Sequence, residues 1–294
     1  MGSDVRDSLS LYIAFQLTEL EGYLPLIAAA DQEAVHSARL ALRRLRSVLS
    51  CYEPLLPHVP KPEHKDVRWL ARSLGEARDA YVLGKRITLS LDASDAWRAP
   101  DPLQEAVRVL MSASNRSAAR LGSDERARRT IHACREALLS EGSNGQPRLR
   151  KNGSPHRMAD VAELLQQQWE AIQRSLGAEA AAVGEEERSE LLHRARKDIK
   201  GLRYSVEAVA EVIGPAATAI IQPAVGMQRI LGELHDSVVA TDWIDGLSGL
   251  PGVDGLDRQE LRLMEQRRMA KADAQFRAAG LEYPLPAPRR VLLF

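Results

Sequence analysis

Two stretches of the chain decide the fold: VHSARLALRRLRSVL, which begins at Val35, and LHRARKDIKGLRYSV, which begins at Leu192. They align without a gap at an offset of 157 residues. The same offset aligns a second pair, RSLGEARD at residues 72–79 with RILGELHD at residues 229–236. A shared Arg-rich helical composition does not explain two separate similarities at one offset. The sequence therefore predicts an internal duplication of one structural unit.

Each copy of the first stretch carries a histidine and three basic residues: His36, Arg39, Arg43 and Arg46 in one, and His193, Arg196, Lys200 and Arg203 in the other. At about 100° per residue, the members of each set lie within about 80° of one another on a helix. We call these sets the two basic stripes. Apolar residues occupy the adjoining arc in the first copy: Val35, Ala38, Leu42, Leu45 and Leu49. Because each stripe borders the core-facing seam, we expect it to face a groove between packed helices.

The rest of the sequence predicts an all-α fold. Stretches rich in Ala, Leu, Arg, Glu and Gln lie between clusters of proline, and no run alternates apolar and polar residues as a half-buried strand would. We expect helices near residues 4–30, 32–53, 63–91, 102–121, 124–140, 158–182, 186–213, 215–246 and 256–279. The predicted organisation is a first helical unit at 1–140, a linker with almost nothing to bury at 141–157, a second unit at 158–283 and a Pro-containing tail at 284–294.

The composition disfavours several classes of function. Among 294 residues, 40 basic residues balance 40 acidic ones, so the whole chain offers no electrostatic argument for a nucleic-acid or membrane partner. Aromatic residues make up 4%, which disfavours a platform for stacking bases. Cys51 and Cys134 stand apart from any Cys or His cluster, which predicts a reducing compartment. We expect neither a signal peptide nor a membrane span, and therefore a cytoplasmic protein.

The duplicated H-x2-R-x3-[RK]-x2-R helix, followed each time by an LGExxD helix, resembles the CHAD domain family, which is named for conserved histidines in an α-helical domain. The resemblance extends from about residue 5 to residue 280. It implies two four-helix bundles related by pseudo-twofold symmetry, whose basic helices line a central pore that binds inorganic polyphosphate. By matching positions, it makes the eight residues of the basic stripes the candidate polyphosphate-binding residues. Secondary candidates are Arg44, Arg72, Lys197 and Arg229.

Two departures between the copies predict that the ends of the pore differ in charge: Arg44 corresponds to Gly201, and Arg78 corresponds to His235. Many relatives carry an adjoining CYTH domain, recognised by an E-x-E-x-K strand, but that pattern does not occur in this sequence. A P-loop, a GxSxG elbow, an HExxH motif and a Rossmann fingerprint do not occur either. We therefore expect a stand-alone, non-catalytic CHAD protein without a cofactor, with polyphosphate granules as a candidate location.

Carboxylates of a partner helix offer an alternative explanation of the stripes, as interhelical ion pairs from Glu76, Asp79, Glu233 and Asp236. Against this alternative, Arg72 and Arg229 share the face of the two aspartates and are expected to bind them. The stripe histidines either contact the ligand or hydrogen-bond those aspartates. Gly75 and Gly232, on the same face, predict close packing of helices.

A metal site is a further alternative, because Glu33 with His36 and Glu190 with His193 both form the E-x2-H motif that di-iron bundles use. The cations that share the stripe with His36 would place a divalent ion in a positive field, so we nominate no metal ligand. Binding of a nucleic-acid backbone is also disfavoured, since the sequence contains no recognised module or basic tail.

Overall fold

The computed structural model describes residues 4–58, 61–92, 100–142, 145–150, 157–282 and 285–292, and over these residues the protein is almost entirely helical. The helices are α1 (Val5–Ala28), α2 (Gln32–Cys51), α3 (Lys61–Asp92), α4 (Asp101–Gly122), α5 (Glu125–Leu138), α6 (Met158–Glu179), α7 (Glu185–Glu207), α8 (Ala210–Ile213), α9 (Pro215–Gly246), α10 (Gly255–Glu282) and α11 (Pro288–Leu292). Two short antiparallel strands, β1 (Leu139–Glu141) and β2 (Pro147–Leu149), complete it. The prediction of an all-α fold is confirmed. None of the described helices has the length and apolar character to cross a membrane.

Local chemistry sets the ends of the two basic helices. The Asp31 side chain accepts hydrogen bonds from the backbone N–H groups of Glu33 and Ala34, at 2.8 and 3.2 Å, and so begins α2. The single helix predicted over residues 186–213 is interrupted after α7. There, the buried carbonyl of Ala208 accepts a hydrogen bond from the hydroxyl of Ser8 at 2.9 Å, which ties the chain to α1 at the break.

The helices pack as two sets that meet along their basic helices. In the first set, α1 packs on α2, α2 on α3, α3 on α4, and α4 on α1. In the second set, α6 packs on α7, α7 on α9, and α9 on α10. Across the two sets, α2 packs on α7 and α3 on α9. One buried apolar cluster contains residues of both sets, including the apolar residues beside the stripes on α2 and α7.

The two duplicated sequence pairs fall on equivalent helices. Residues 35–49 lie on α2 and residues 192–206 on α7, while residues 72–79 lie on α3 and residues 229–236 on α9. The contacts between α2 and α3 and between α7 and α9 repeat in the two sets. Helix α5 follows α4 in the first set, and at the same offset α11 falls on residues 131–135 of α5. Helix α5 packs on α1 and α3, and α11 packs on α6 and α9.

The predicted linker contains ordered structure. Leu149, on β2, is only 1% exposed, and its backbone N–H donates to the hydroxyl of Ser10 at 2.9 Å. The guanidinium of Arg6 donates to the Leu149 carbonyl. The expectation that this segment has almost nothing to bury is therefore wrong for Leu149. The two strands pair, and β2 packs against α1, which buries the Leu149 side chain. Residues 143–144 and 151–156 of the predicted linker lie outside the described residues.

Close helix packing occurs at a glycine that the sequence pattern did not single out. A Cβ atom at Gly122, the last residue of α4, would lie 2.1 Å from the backbone nitrogen of Ala28. At Gly75 and Gly232 the nearest atoms to such a Cβ belong to the side chains of Asp79 and Arg196, at 4.0 and 3.9 Å. The prediction of close packing at those two glycines is wrong, since a methyl group fits there in ordinary van der Waals contact.

Candidate functional site

A cavity of about 1090 Å³ lies between α2, α3, α6, α7 and α9. All eight residues of the two basic stripes are on its wall: His36, Arg39, Arg43, Arg46, His193, Arg196, Lys200 and Arg203. The helical period places each stripe on one face of its own helix, and the contact between α2 and α7 brings the two faces to one space.

The secondary candidates divide into one residue on the wall and three away from it. Lys197 lines the cavity. Arg44 lies outside the lining and donates from Nε to Glu207 Oε2 at 3.2 Å. Arg72 and Arg229 are exposed and also lie outside the lining, so the structure does not bring these two candidates to the cavity. Each sits seven residues before the aspartate of its helix, which is about 10 Å along the axis, on the same face but beyond the cavity.

Three further basic residues on the wall were not among the sequence-based candidates: Arg78, Arg86 and His235. Arg78 and His235 occupy equivalent positions in the duplicated LGExxD helices, so the repeat itself could have identified them. Arg86 aligns with Trp243 at the same offset, so the repeat does not identify it as a basic position. In total, nine Arg and Lys residues line the cavity against three carboxylates, which makes its wall strongly cationic in a chain of zero formal charge.

One cation of each stripe is held by an aspartate of the facing helix. Arg39 contacts Asp79 with both terminal nitrogens, Nη1 to Oδ1 at 2.6 Å and Nη2 to Oδ2 at 3.2 Å. Arg196 Nη2 lies 3.8 Å from Asp236 Oδ1. Interhelical pairing is therefore real at these two positions, and the expectation that Arg72 and Arg229 bind the aspartates is wrong.

Arg86 is compensated by a buried network that reaches α9 and α10. Its Nε donates to both carboxylate oxygens of Glu265, at 3.1 and 3.0 Å, and its Nη2 donates to Glu233 at 2.7 Å and to Ser237 at 2.8 Å. Glu265 is 1% exposed, and Arg268 also donates to it. A cation with this many fixed acceptors is already satisfied, so Arg86 contributes structure to the wall more than free charge.

Four cations of the wall form no salt bridge with any residue that the structure describes: Arg43, Arg46, Lys197 and Lys200. Burial and the charges of Arg196 and Arg43 lower the pKa of Lys200 to about 7. Burial and Arg39 lower the pKa of Arg43 to about 10. The cavity therefore brings together like charges that disfavour one another's protonated forms, and a bound anion would relieve this repulsion.

The histidines belong to the same electrostatic unit. The rings of His193 and His235 lie with their centroids 4.4 Å apart, and Nδ1 of His193 is buried without a hydrogen-bond partner in the described part of the chain. Burial, Arg196 and His193 lower the pKa of His235 to about 4. Burial also lowers the pKa of His36 and His193, and Arg78 and Lys197 respectively add to the effect. All three shifts favour the neutral form of the ring.

Neither stripe histidine forms a hydrogen bond with the two aspartates in the described part of the chain. Among the described residues, no hydrogen bond joins His36 or His193 to Asp79 or Asp236, whose nearest partners are Arg39 and Arg196. This arrangement leaves both imidazoles facing the cavity.

The carboxylates that a di-iron site needs are directed elsewhere. The side chain of Glu33 is 81% exposed and lies 4.0 Å from Arg78, while Glu233 is engaged by Arg86. Within the described ranges, no group of three or more His, Cys, Asp and Glu side chains is placed to hold a metal ion.

The fold and the cavity together define a class of protein: a helical protein in which two basic helices meet at a cation-lined cavity. The sequence model of the CHAD domain matches residues 11–245. The chain belongs to the CHAD domain family, as its duplicated motifs predicted.

Two curated relatives from Mycobacterium tuberculosis are each 28% identical to this chain over 251 residues. They are the uncharacterized protein MT2285 of strain CDC 1551 / Oshkosh and the uncharacterized protein Rv2226 of strain ATCC 25618 / H37Rv. Each match covers 80% of this chain and 44% of the relative, so the chain spans less than half the length of these proteins.

Two solved structures share the fold. The CHAD domain from the plant Ricinus communis matches with a TM-score of 0.73 at 19% identity, over 97% of this chain and 94% of that one. PptA from Streptomyces chartreusis matches with a TM-score of 0.73 at 15% identity, over 95% of this chain and 100% of that one. At these identities the likeness shows the fold alone.

Proposed function

We propose that the cavity binds inorganic polyphosphate and that the protein is a binding module without catalytic turnover. The observation that carries the proposal is the meeting of both basic stripes in one cavity, where four cations have no ion pair in the described part of the chain. Their mutual repulsion is a cost that only a polyanion with several charges can remove at several points at once.

The chemistry of the wall suits a linear polyphosphate. Such a ligand has no base or methyl group, so its recognition needs cations and hydrogen-bond donors in a row. Arginine supplies a rigid fork of donors to phosphate oxygens, and lysine supplies a mobile point charge. The wall provides seven arginines and two lysines.

The one tyrosine among the lining residues is poorly placed to stack a nucleobase. The guanidinium carbons of Arg203 and Arg44 lie 5.3 and 5.9 Å from the centre of the Tyr204 ring. Stacking on aromatic rings is the usual contact of single-stranded nucleic acids, so the cavity favours a phosphate chain without bases. A cytoplasmic site of action and association with polyphosphate granules form part of the same proposal.

Calorimetric titration with polyphosphate of defined length tests the proposal directly. Single-stranded DNA of matched charge serves as the competitor, at one fixed salt concentration. We expect polyphosphate to bind and DNA to displace it only weakly. Equal competition by DNA would identify a general phosphodiester site instead, and absence of heat and of any gel shift with polyphosphate would overturn the proposal.

Charge-reversed variants locate the binding site. Two double variants change one stripe each, Arg39→Glu with Arg43→Glu and Arg196→Glu with Lys200→Glu, and the control changes two exposed residues of α5, Arg128→Glu with Arg129→Glu. We expect both stripe variants to lose polyphosphate binding and the α5 variant to keep it. Circular dichroism verifies that helicity is retained. Wild-type affinity in both stripe variants would place the ligand outside the cavity.

A further inference from the structure

Lys200 occupies an unusual position on the cavity wall. Its ammonium group forms no salt bridge with a described residue. Guanidinium groups of two helices repel its positive charge: Arg39 and Arg43 on α2 and Arg196 on α7. From α9, Asp236 and His235 face it, and the α6 residues on the wall, Gln168 and Ala171, are uncharged.

This environment favours the neutral amine form of Lys200, which is the nucleophilic form, at neutral pH. Burial and the neighbouring cations lower its pKa to about 7. At pH 7 the Lys200 side chain is therefore a neutral amine in about half of the molecules. A solvated lysine with a pKa near 10.4 is neutral in only about 0.04% of molecules at that pH. Lysines beside another cation in a partly desolvated pocket are activated in the same way in enzymes.

The cations that make Lys200 neutral also attract anions to it. A small electrophile that carries a phosphate group would be held by the guanidinium groups of Arg43 and Arg196, with its reactive carbon close to the amine. We propose that Lys200 is a covalent modification site, acylated by small acyl phosphates that enter the cavity. The inference rests on the proposed function only in that both use the cavity as a binding site for phosphate groups.

The reaction needs no other reagent. The lone pair of the neutral Lys200 Nζ forms a bond to the carbonyl carbon of the acyl phosphate. The bond from that carbon to the bridging oxygen breaks, and its electron pair leaves with the phosphate. The proton lost by the nitrogen ends on the departing phosphate, which gives an amide and hydrogen phosphate. The same arginines stabilise the negative charge that develops on the leaving group.

Acylation would change the cavity that holds polyphosphate. An amide carries no charge, so the modification removes one of the four cations that have no described ion pair. We therefore expect the acetylated protein to bind polyphosphate more weakly than the unmodified protein. This links the affinity of the cavity to the supply of acyl phosphate.

Acetyl phosphate and the full chain are sufficient for the test. Peptide mass spectrometry follows the acetylated fraction of Lys200 over time between pH 6 and pH 9. Lys197 is the matched control, since it lines the same cavity but is exposed. At pH 7 we expect acetylation of Lys200 to be at least about tenfold faster than that of Lys197, with a rate that levels off above about pH 8. Equal rates at the two lysines, or a Lys200 rate that still climbs tenfold per pH unit at pH 9, would overturn the inference.

Polyphosphate separates this inference from the proposed function. A saturating amount, with binding established independently by calorimetry, should protect Lys200 from acetyl phosphate and leave exposed lysines unchanged. Lack of protection despite measured binding would show that the reaction does not occur in the cavity and would overturn the inference. Selective acetylation of Lys200 without any polyphosphate binding would support the inference and overturn the proposed function. Lys200→Arg, which keeps a cation there, should lose the acetylated peptide while remaining helical.

Discussion

Replacing Arg43 with glutamine should weaken ligand binding and at the same time leave the fold as stable as before or more so. Arg43 forms no salt bridge with a described residue, and burial and Arg39 lower its pKa to about 10, so its charge opposes folding. A charge-assisted hydrogen bond to phosphate contributes about 1.5–3 kcal/mol. Its loss should raise the Kd for polyphosphate by about 10- to 150-fold.

The neighbouring residue provides the matched control. Arg44 lies outside the cavity and pairs with Glu207, which keeps Arg203 as a second partner at 2.7 Å. Arg44→Gln should therefore leave the Kd for polyphosphate close to that of the wild type. The two variants differ by one position on α2, so their comparison tests the direction in which each side chain points.

Calorimetry over a series of salt concentrations measures the effect. The logarithm of the binding constant should fall linearly with the logarithm of the salt concentration, and Arg43→Gln should make this slope shallower by about 0.7 for the one lost phosphate contact. Urea denaturation gives the free energy of unfolding of the same samples. An Arg43→Gln protein with wild-type affinity and wild-type salt slope would refute the assignment of Arg43 to the ligand.

Four other outcomes follow from the geometry. Long-chain polyphosphate should bind far more tightly than tripolyphosphate in calorimetry, because a chain that reaches both stripes gains effective concentration at the second. Affinity should rise from pH 8 to pH 6, since burial and neighbouring cations lower the pKa values of Lys200 and His193 and a bound polyanion raises them, so that binding takes up protons. Glu265→Gln should reduce the free energy of unfolding in urea by about 3 kcal/mol, because it leaves Arg86 with a weakened buried partner. Gly122→Ala should cost about 1–3 kcal/mol in the same assay, because the new methyl carbon would lie 2.1 Å from a backbone nitrogen of α1.

Each of these predictions can be contradicted by a specific result or compared with a control variant. Equal affinities for short and long chains would indicate two separate pockets. Lys200→Arg, which stays protonated, should show a smaller change of affinity with pH, and an unchanged pH profile would remove Lys200 from the explanation. A wild-type urea midpoint for Glu265→Gln would mean that the buried network adds nothing to stability. Gly177→Ala, at an exposed position of α6 where nothing lies within 4 Å of the added carbon, should gain about 0.5–1 kcal/mol, opposite in sign to Gly122→Ala.

Much of the candidate site could be predicted from local sequence. The spacing of His36, Arg39 and Arg43 on a helix follows from 3.6 residues per turn alone, and so does the apolar seam beside them. The all-α fold and the family follow from the same periodicity and from the repeated motifs. Lys197 and Arg44 were both candidates, yet one lines the cavity and the other binds Glu207. A helical angle does not distinguish them, because their roles depend on which neighbouring helix each side chain reaches.

The sequence by itself determined which residues share a helix face, since neighbours three and four positions apart meet regardless of the rest of the fold. Only the tertiary structure decided which charges are compensated. Arg86 binds Glu265, Arg39 binds Asp79, and Lys200 has no described salt bridge, although all three cations belong to the same wall. The partner of Arg86 lies 179 residues away in the chain, so this pairing depends on how α3, α9 and α10 pack. Short-range periodicity carries no information about that packing, and burial and Coulomb interactions at the meeting of the helices therefore set the charge state of the cavity.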